Sequence, residues 1–194
     1  MARVVLEGPA IAQALDRMAA TLCARATDAP FAVVGIRRGG EIIASRLAAR
    51  LARQSGTTPP VGSIDITLYR DDGFGPHDWP VVGTSHVDFD PASYTIVLVD
   101  DVLYTGRTVR AAIDALLDYG RPKAIRLAVL VDRGLRELPF AADAVGLALA
   151  TEPGEHVTVE LAEAGGAGAT GPAAAAGTAA DRVIVEPAPR GRRL

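Results

Sequence analysis

Near the middle of the chain runs the segment Ile96-Val97-Leu98-Val99-Asp100-Asp101-Val102-Leu103-Tyr104-Thr105-Gly106-Arg107-Thr108. Its first residues are continuously apolar, which predicts a buried strand over 95–99. Two adjacent acids and a short loop follow this strand. A helix is predicted after the loop, over 108–119, and it ends there because Gly120 and Pro122 disfavour its continuation. In open α/β sheets, ligands bind beyond the carboxyl ends of the parallel strands. The segment therefore predicts a ligand site where this strand ends.

The loop between this strand and this helix has the residue types of a phosphate site. Gly106 allows the backbone to approach a phosphate closely, and loop N–H groups beside a helix N-terminus bind anions. Thr105 and Arg107 add a hydroxyl and a positive charge. Asp100 and Asp101 suit the vicinal hydroxyls of a sugar, directly or around a hydrated divalent ion. These residues predict a cradle for a ribose 5-phosphate; the alternative, a helix cap on a tight turn, needs only one acid.

The flanking sequence alternates between helical and strand patterns. The predicted elements are a helix over 9–26, a strand over 31–36, a loop over 37–40, a helix over 41–54 and strands over 61–69, 124–131 and 144–149. This order predicts an α/β fold with a mostly parallel central sheet flanked by helices.

The remaining segments are of three kinds, all assigned to a single domain over 1–194. Residues 71–86 are rich in turn formers, as in a functional loop. Residues 162–180 are almost only Ala and Gly, which is typical of a flexible connection. Strand-like pieces over 157–161 and 182–185 flank residues 162–180, so this pattern predicts a hairpin with an expanded loop. The tail over 187–194 is basic and is expected to fray.

Composition excludes several classes of protein. The 194 residues include one cysteine, Cys23, so there is no disulfide framework and no cysteine-based zinc site. The net charge of −3 gives no global nucleic-acid signature. The sequence has neither an apolar run of membrane-spanning length nor a signal-peptide pattern, so we expect a cytoplasmic protein.

Three strings together carry a family resemblance. The segment 99–112 resembles the 5-phosphoribosyl-1-pyrophosphate (PRPP) signature of type I phosphoribosyltransferases. With Asp65-Ile66-Thr67-Leu68-Tyr69-Arg70-Asp71-Asp72, and with 127–134 followed by Arg136-Glu137-Leu138-Pro139, it resembles the PyrR family. Members of that family are pyrimidine operon attenuation proteins with uracil phosphoribosyltransferase activity. The resemblance covers roughly residues 3–161 and 181–186.

The resemblance implies a function and a set of ligands. Uracil and PRPP would give UMP and pyrophosphate, with Mg²⁺ bound together with PRPP and not by direct protein ligands. UMP or UTP would act as effectors of binding to the leader mRNA of pyrimidine genes. The resemblance also implies a small hood built from the N- and C-terminal segments, and a homodimer or tetramer.

The resemblance assigns roles to individual residues. Asp100, Asp101 and Arg70 would be catalytic, with 71–86 as a lid over PRPP. The PRPP-binding residues would be Val97, Leu98, Val99, Asp100, Asp101, Val102, Leu103, Tyr104, Thr105, Gly106, Arg107, Thr108 and Val109. The pyrophosphate loop would be Arg37, Arg38, Gly39 and Gly40. The residues that contact uracil would be Arg133, Arg136 and the backbone at Val157.

Each of the flanking arginines also has a structural interpretation that stays open. Arg37 and Arg38 alone would suit a solvated charged turn. Arg133 would equally suit an ion pair with Asp132 or Glu137.

The sequence departs from the family where RNA binding is concerned. Polar or basic positions of the family correspond here to Asp16, Ala20, 140–142 and Leu147, so fewer cations face RNA phosphates. Two alternatives therefore stay open, a non-catalytic nucleotide-sensing regulator and an enzyme that has lost RNA binding. A purine phosphoribosyltransferase is disfavoured, because Lys123 precedes its strand and lies at the wrong end for a base contact.

Overall fold

The computed structural model describes residues 1–25, 29–71, 82–162 and 180–187. In chain order the elements are β1 (Arg3–Glu7), α1 (Gly8–Ala24), β2 (Phe31–Ile36), α2 (Gly40–Ser55), β3 (Val61–Ile64), β4 (Thr95–Leu103), α3 (Arg107–Leu117), β5 (Ala124–Asp132), β6 (Ala144–Ala148), β7 (His156–Glu160) and β8 (Arg182–Glu186). Short 3-10 turns at Thr67–Tyr69 and Pro91–Ser93 precede β4. None of the described helices is long and apolar enough to cross a membrane.

Five strands form a wholly parallel sheet in the order β3-β2-β4-β5-β6. Successive side chains of the central strand β4 point to opposite faces. Val97 and Val99 share a core with α1 and α2, whereas Ile96 and Leu98 share one with α3. Because both faces are covered, β4 is apolar without alternation. The predicted α/β fold with a mostly parallel sheet between helices is confirmed.

A second, antiparallel sheet has the order β1-β8-β7, and we call it the hood sheet. It joins the N-terminal and C-terminal segments, as the resemblance implies. The hairpin predicted from the pieces at 157–161 and 182–185 is confirmed, with Val157 opposite Val185. The sequence patterns did not predict β1. Residues 163–179 of the connection and 188–194 of the tail lie outside the described residues.

The helices lie close to their predicted positions. The apolar stripe of α1, at Ile11, Leu15, Met18 and Leu22, is buried. The helix ends at Ala24, two residues earlier than predicted. α2 extends one residue beyond its prediction at each end, and α3 starts one residue early and ends two residues early.

Two strand predictions are wrong in extent. The strand predicted over 61–69 ends at Ile64, because the Asp65 carboxylate accepts a hydrogen bond from Thr67 N at 2.9 Å and turns the chain out of the sheet. The strand predicted over 95–99 continues to Leu103, which pairs with Asp132 of β5. The two acids therefore lie within the strand and not after it.

Candidate active site

Asp100 and Asp101 occupy the carboxyl-terminal part of β4, and strand geometry sends their side chains to different neighbours. Asp100 lines a cavity beside the following loop. Asp101 faces Gly39, where a Cβ would overlap its carboxylate. The acidic pair thus lies between the loop predicted to bind the 5-phosphate and the loop predicted to bind pyrophosphate.

The Asp100 side chain is 5% exposed. Burial, and secondly the nearby Asp101 carboxylate, raise the pKa of Asp100 well above its ordinary value. Asp101 N donates to Asp100 Oδ1 at 3.0 Å, and Val102 N donates to Asp101 Oδ1 at 2.7 Å. Backbone bonds therefore hold two repelling acids next to one another, an arrangement that a cationic ligand or sugar hydroxyls would relieve.

The loop after β4 surrounds a cavity of about 290 Å³. Its lining residues are Arg70, Asp71, Asp100, Val102, Leu103, Tyr104, Thr105, Gly106, Arg107, Thr108 and Val109. The N-cap of α3 is Gly106 with φ +94°, and not an aspartate, so capping does not account for the acids. Residues 107–110 contain no acid, which leaves the positive end of the helix dipole directed at the cavity.

The phosphate loop, which we define as residues 104–109, is held from behind by the chain that follows β5. Thr105 O accepts hydrogen bonds from Glu137 N at 3.0 Å and Leu138 N at 2.9 Å. Arg136 Nη1 donates to Tyr104 O at 2.8 Å, and Arg136 also pairs with Asp132 at 2.6 Å. These contacts fix the shape of the phosphate loop before any ligand arrives.

Asp71 places a carboxylate inside the same cavity. Its Oδ2 lies 2.8 Å from Arg107 Nη1 and 3.8 Å from Arg110 Nε. Arg107 Nε also donates to Glu137 at 2.7 Å. These two acids raise the pKa of Arg107. The sequence did not single out Asp71 as a site residue, although it follows Arg70 in the family string.

The predicted pyrophosphate loop, 37–40, joins β2 to α2 beside the acidic pair. A Cβ at Gly40 would overlap Val99 O, so only glycine permits this approach. The peptide between Arg37 and Arg38 is cis. Arg37 Nη1 donates to Thr84 O at 3.1 Å and lies 3.3 Å from Glu41, whereas Arg38 is exposed.

The predicted lid is described only at its ends, since residues 72–81 lie outside the described part of the chain. At its far end, Ser63 N donates to His86 O at 2.8 Å and His86 N donates to Ser63 O at 2.7 Å. Ser85 Oγ accepts from Asp65 N at 2.9 Å. The far end is thus bonded to β3 and its following turn.

A second cavity, of about 480 Å³, opens at the carboxyl ends of β5 and β6. It is lined by Asp132, Arg133, Gly134, Leu135, Ala148, Leu149, Ala150 and Thr151. Arg133 is 4% exposed, with its guanidinium 4.3 Å from the Tyr104 ring centroid. It donates to Thr151 Oγ1 at 3.0 Å and Glu155 O at 2.8 Å. Its contacts are therefore not the ion pairs that the sequence left open, because Asp132 pairs with Arg136 and Glu137 with Arg107.

The remaining predicted site residues fall in three places. Three of them, Val97, Leu98 and Val99, are fully buried in the two cores, in the part of β4 that precedes the acidic pair. Arg136 directs its donors at carbonyls of the phosphate loop and its neighbours, and Val157 is buried in the hood sheet. Burial raises the pKa of the Cys23 thiol, which fits a core residue and not a nucleophile.

The positions considered for RNA binding lie on α1, in the segment 140–142 before β6, and on β6. Asp16 accepts from Arg50 Nε at 2.8 Å and lies 3.8 Å from Arg53. Arg17 donates to Gly146 O at 3.2 Å. The negative charge of Asp16 is therefore offset in large part by two neighbouring arginines.

Comparison with known proteins identifies the family. Residues 2–164 match the family model of the phosphoribosyl transferase domain. Over 192 residues, 98% of this chain and 96% of the relative, the chain is 44% identical to the bifunctional protein PyrR of Syntrophobacter fumaroxidans. Over 134 residues, 69% of this chain and 74% of the relative, it is 55% identical to the bifunctional protein PyrR of Pelotomaculum thermopropionicum.

Solved structures share the fold at low sequence identity. A hypoxanthine phosphoribosyltransferase from Staphylococcus aureus superposes with a TM-score of 0.59 at 18% identity, covering 80% of each chain. The enzyme of the same name from Trypanosoma cruzi superposes with a TM-score of 0.61 at 16% identity, covering 79% of this chain and 80% of that chain. These likenesses concern the fold alone, and the sequence relationships carry the assignment. The chain belongs to the PyrR family of phosphoribosyltransferases.

Proposed function

We propose that this chain transfers the 5-phosphoribosyl group of PRPP to uracil, giving UMP and pyrophosphate, and that it also binds pyrimidine-gene leader mRNA in response to UMP or UTP. The observation that carries the catalytic part is the cavity shared by Asp100 and the phosphate loop. A helix N-terminus, loop amides and Arg107 on one side suit a phosphate. A buried acid on the other side suits ribose hydroxyls.

Mg²⁺ enters this proposal as part of the PRPP substrate. Burial and the neighbouring Asp101 carboxylate raise the pKa of Asp100. Two carboxylates of this kind suit the water shell of Mg²⁺, which usually keeps several of its waters. The bound ion would neutralise charge on the pyrophosphate leaving group.

The chemistry needs positioning more than covalent catalysis. A uracil nitrogen would attack C1 of PRPP while the bond from C1 to the pyrophosphate oxygen breaks, through a transition state resembling a ribosyl cation, and the nitrogen's proton would pass to solvent. Asp100 and Asp101 would hold the ribose and stabilise this positive charge, and Arg70 with 37–40 would hold the departing pyrophosphate. The cavity beside Arg133 is the proposed place of the base. The family resemblance adds Arg136 and the Val157 backbone as further uracil contacts, although neither residue lines this cavity.

The regulatory part of the proposal rests on the family relationship. Arg17, Arg25 and Arg53 lie along α1 and α2, and Arg25 and Arg126 share Asp143 at 3.4 and 3.2 Å. Part of this positive charge is therefore neutralised within the protein, so we expect a weak affinity for RNA and a shallow salt dependence. We further propose a cytoplasmic homodimer or tetramer.

The test is UMP formation from labelled uracil, PRPP and Mg²⁺, with hypoxanthine as a competing base and the Asp100→Asn/Asp101→Asn variant as control. A leader-RNA titration with and without UMP runs beside it. Turnover of uracil with little use of hypoxanthine is expected. Turnover of hypoxanthine instead would overturn the choice of base, and RNA binding without any turnover would favour a nucleotide-sensing regulator.

A further inference from the structure

A buried ion pair joins the hood sheet to α2. Arg46 is 3% exposed and Asp181, just before β8, is 1% exposed. Arg46 Nη1 donates to Asp181 Oδ2 at 2.5 Å, and Nη2 donates to Oδ1 at 3.3 Å. The contact is therefore bidentate, which fixes direction as well as distance.

The same two side chains also hold the other end of the β7–β8 connection. Arg46 Nη2 donates to Ala162 O at 2.7 Å, and Ala162 N donates to Asp181 Oδ1 at 2.8 Å. Ala162 follows β7 and Asp181 precedes β8, so the two ends of the connection meet on one guanidinium. We call Arg46, Asp181 and Ala162 the hood anchor.

The hood anchor relates two parts of the proposed site. α2 starts at Gly40, which belongs to the predicted pyrophosphate loop, and Arg46 lies on its second turn. β7 starts at His156, beside Glu155 O, which Arg133 holds at the second cavity. From Ala162 to His156 a strand spans about 20 Å. The β7 strand is thus tied to α2 at one end and to Arg133 at the other.

Burying two charges seldom stabilises a fold, because desolvation offsets their attraction. Apolar residues of similar size would often serve stability as well, but they would not set one alignment of the hood sheet. The geometry of the pair therefore suits a positioning role.

We propose that Arg46 and Asp181 are positioning residues that set β7, and with it the backbone at Val157, against the base cavity. Neither Arg46 nor Asp181 lines either of these cavities, so they would act through the hood sheet. The proposal rests on the proposed uracil transfer. It predicts that loss of the pair weakens the use of uracil while leaving the use of PRPP nearly unchanged.

The test variant is Arg46→Met/Asp181→Asn, which removes both buried charges and keeps an acceptor for Ala162 N. We expect a folded protein whose KM for uracil rises about tenfold, while the KM for PRPP changes less than about twofold. The matched control is Glu160→Gln, which breaks the exposed Arg182–Glu160 pair, 2.5 Å apart on the same hairpin, and should change neither value. Equal shifts in both KM values, or no shift, would overturn the proposal.

Two further measurements keep the outcome decisive. If the double variant does not fold, Arg46→Lys retains the charge and should show the same one-sided shift at smaller size; a two-sided shift counts against the proposal. If the wild type makes no UMP, the proposed function fails by itself. Hydrogen exchange of the β7 amides then tests the anchor: faster exchange at Val157 in the double variant sustains it, and unchanged exchange overturns it.

Discussion

The phosphate loop and the hood sheet are built in opposite ways. The phosphate loop and its acidic pair come from one continuous segment, 100–109, between a buried strand and a helix. The hood sheet assembles residues 3–7, 156–160 and 182–186, and a buried ion pair to α2 fixes its position. The first region is encoded locally, whereas the second depends on contacts between distant residues. Substitutions in the phosphate loop and acidic pair should therefore change the rate of reaction or the binding of PRPP. Substitutions at the hood sheet should change how this sheet is positioned against the base cavity.

The largest effect is expected from removing the acidic pair. Asp100→Asn/Asp101→Asn should lower kcat/KM by at least about 100-fold, because it removes both carboxyl groups proposed to hold the ribose and stabilise the transition state. Steady-state kinetics with PRPP and uracil measure this, with a melting curve to show that the fold is kept. Unchanged turnover would remove the acids from the proposed mechanism.

A substitution at Arg136 tests whether this residue acts on the phosphate loop or on the uracil site. It donates to Tyr104 O at 2.8 Å and Phe140 O at 3.1 Å, although the resemblance assigns it to uracil. Arg136→Met should raise the KM for PRPP about tenfold, since these bonds shape the phosphate loop. The comparison is with the KM for uracil in the same assay. A rise confined to uracil would restore the role assigned from sequence.

Asp71 pairs with Arg107, which we expect to bind the 5-phosphate of PRPP. Removing the Asp71 charge should leave that arginine paired with Glu137 alone. Asp71→Asn is expected to tighten PRPP binding about two- to fivefold, the range of a partly exposed ion pair. Isothermal titration without uracil measures it. Asp114→Asn is the control, because Asp114 pairs with Arg110 at 2.7 Å but does not line the cavity. Weaker binding would instead mean that Asp71 helps to hold the substrate.

Asp100 also gives the folded protein a pH dependence of known sign. Burial raises its pKa, so the folded state keeps a proton that the unfolded state releases above the ordinary pKa of 3.8. Stability should therefore fall as pH rises from about 4 through the raised pKa, by at most about 1.4 kcal/mol per pH unit.

Denaturant unfolding and thermal melts from pH 4 to 8 compare wild type with Asp100→Asn. In the variant, the free energy of unfolding should depend less on pH. Its melting temperature at neutral pH should be about 2–4 °C higher for each kcal/mol of destabilisation that the substitution removes. An identical slope in both proteins would show that Asp100 is not the source.

The smallest effect is expected in the hood. Deleting 163–179, while keeping Ala162 and Asp181, should shift the melting temperature by less than about 3 °C, because loop-closure entropy changes slowly with length. Deleting 162–180 instead removes a member of the hood anchor and should cost more. A large loss from the shorter deletion would show that the connection packs against the fold.

Much of the fold could be predicted because its signals are local. The apolar run 95–99, the stripe of α1 and the Thr-Gly-Arg-Thr loop each express one element's own periodicity or turn chemistry. The extent of β4 could not be predicted, since pairing with β5 through Leu103 lengthens it. β3 ends early because Asp65 caps a turn, a contact that alternation of apolar residues does not reveal.

The sequence by itself determined the strand, acids, loop and helix that make up the phosphate side, because backbone conformation and residue type there are set within a few neighbours. Only the tertiary structure decided that Asp100 and Asp101 face different loops, that Asp71 enters the phosphate cavity, and that Arg46 meets Asp181. Those relations join residues far apart in the chain. They depend on how the packed helices and strands bring charged side chains together, and a local sequence pattern does not predict this packing.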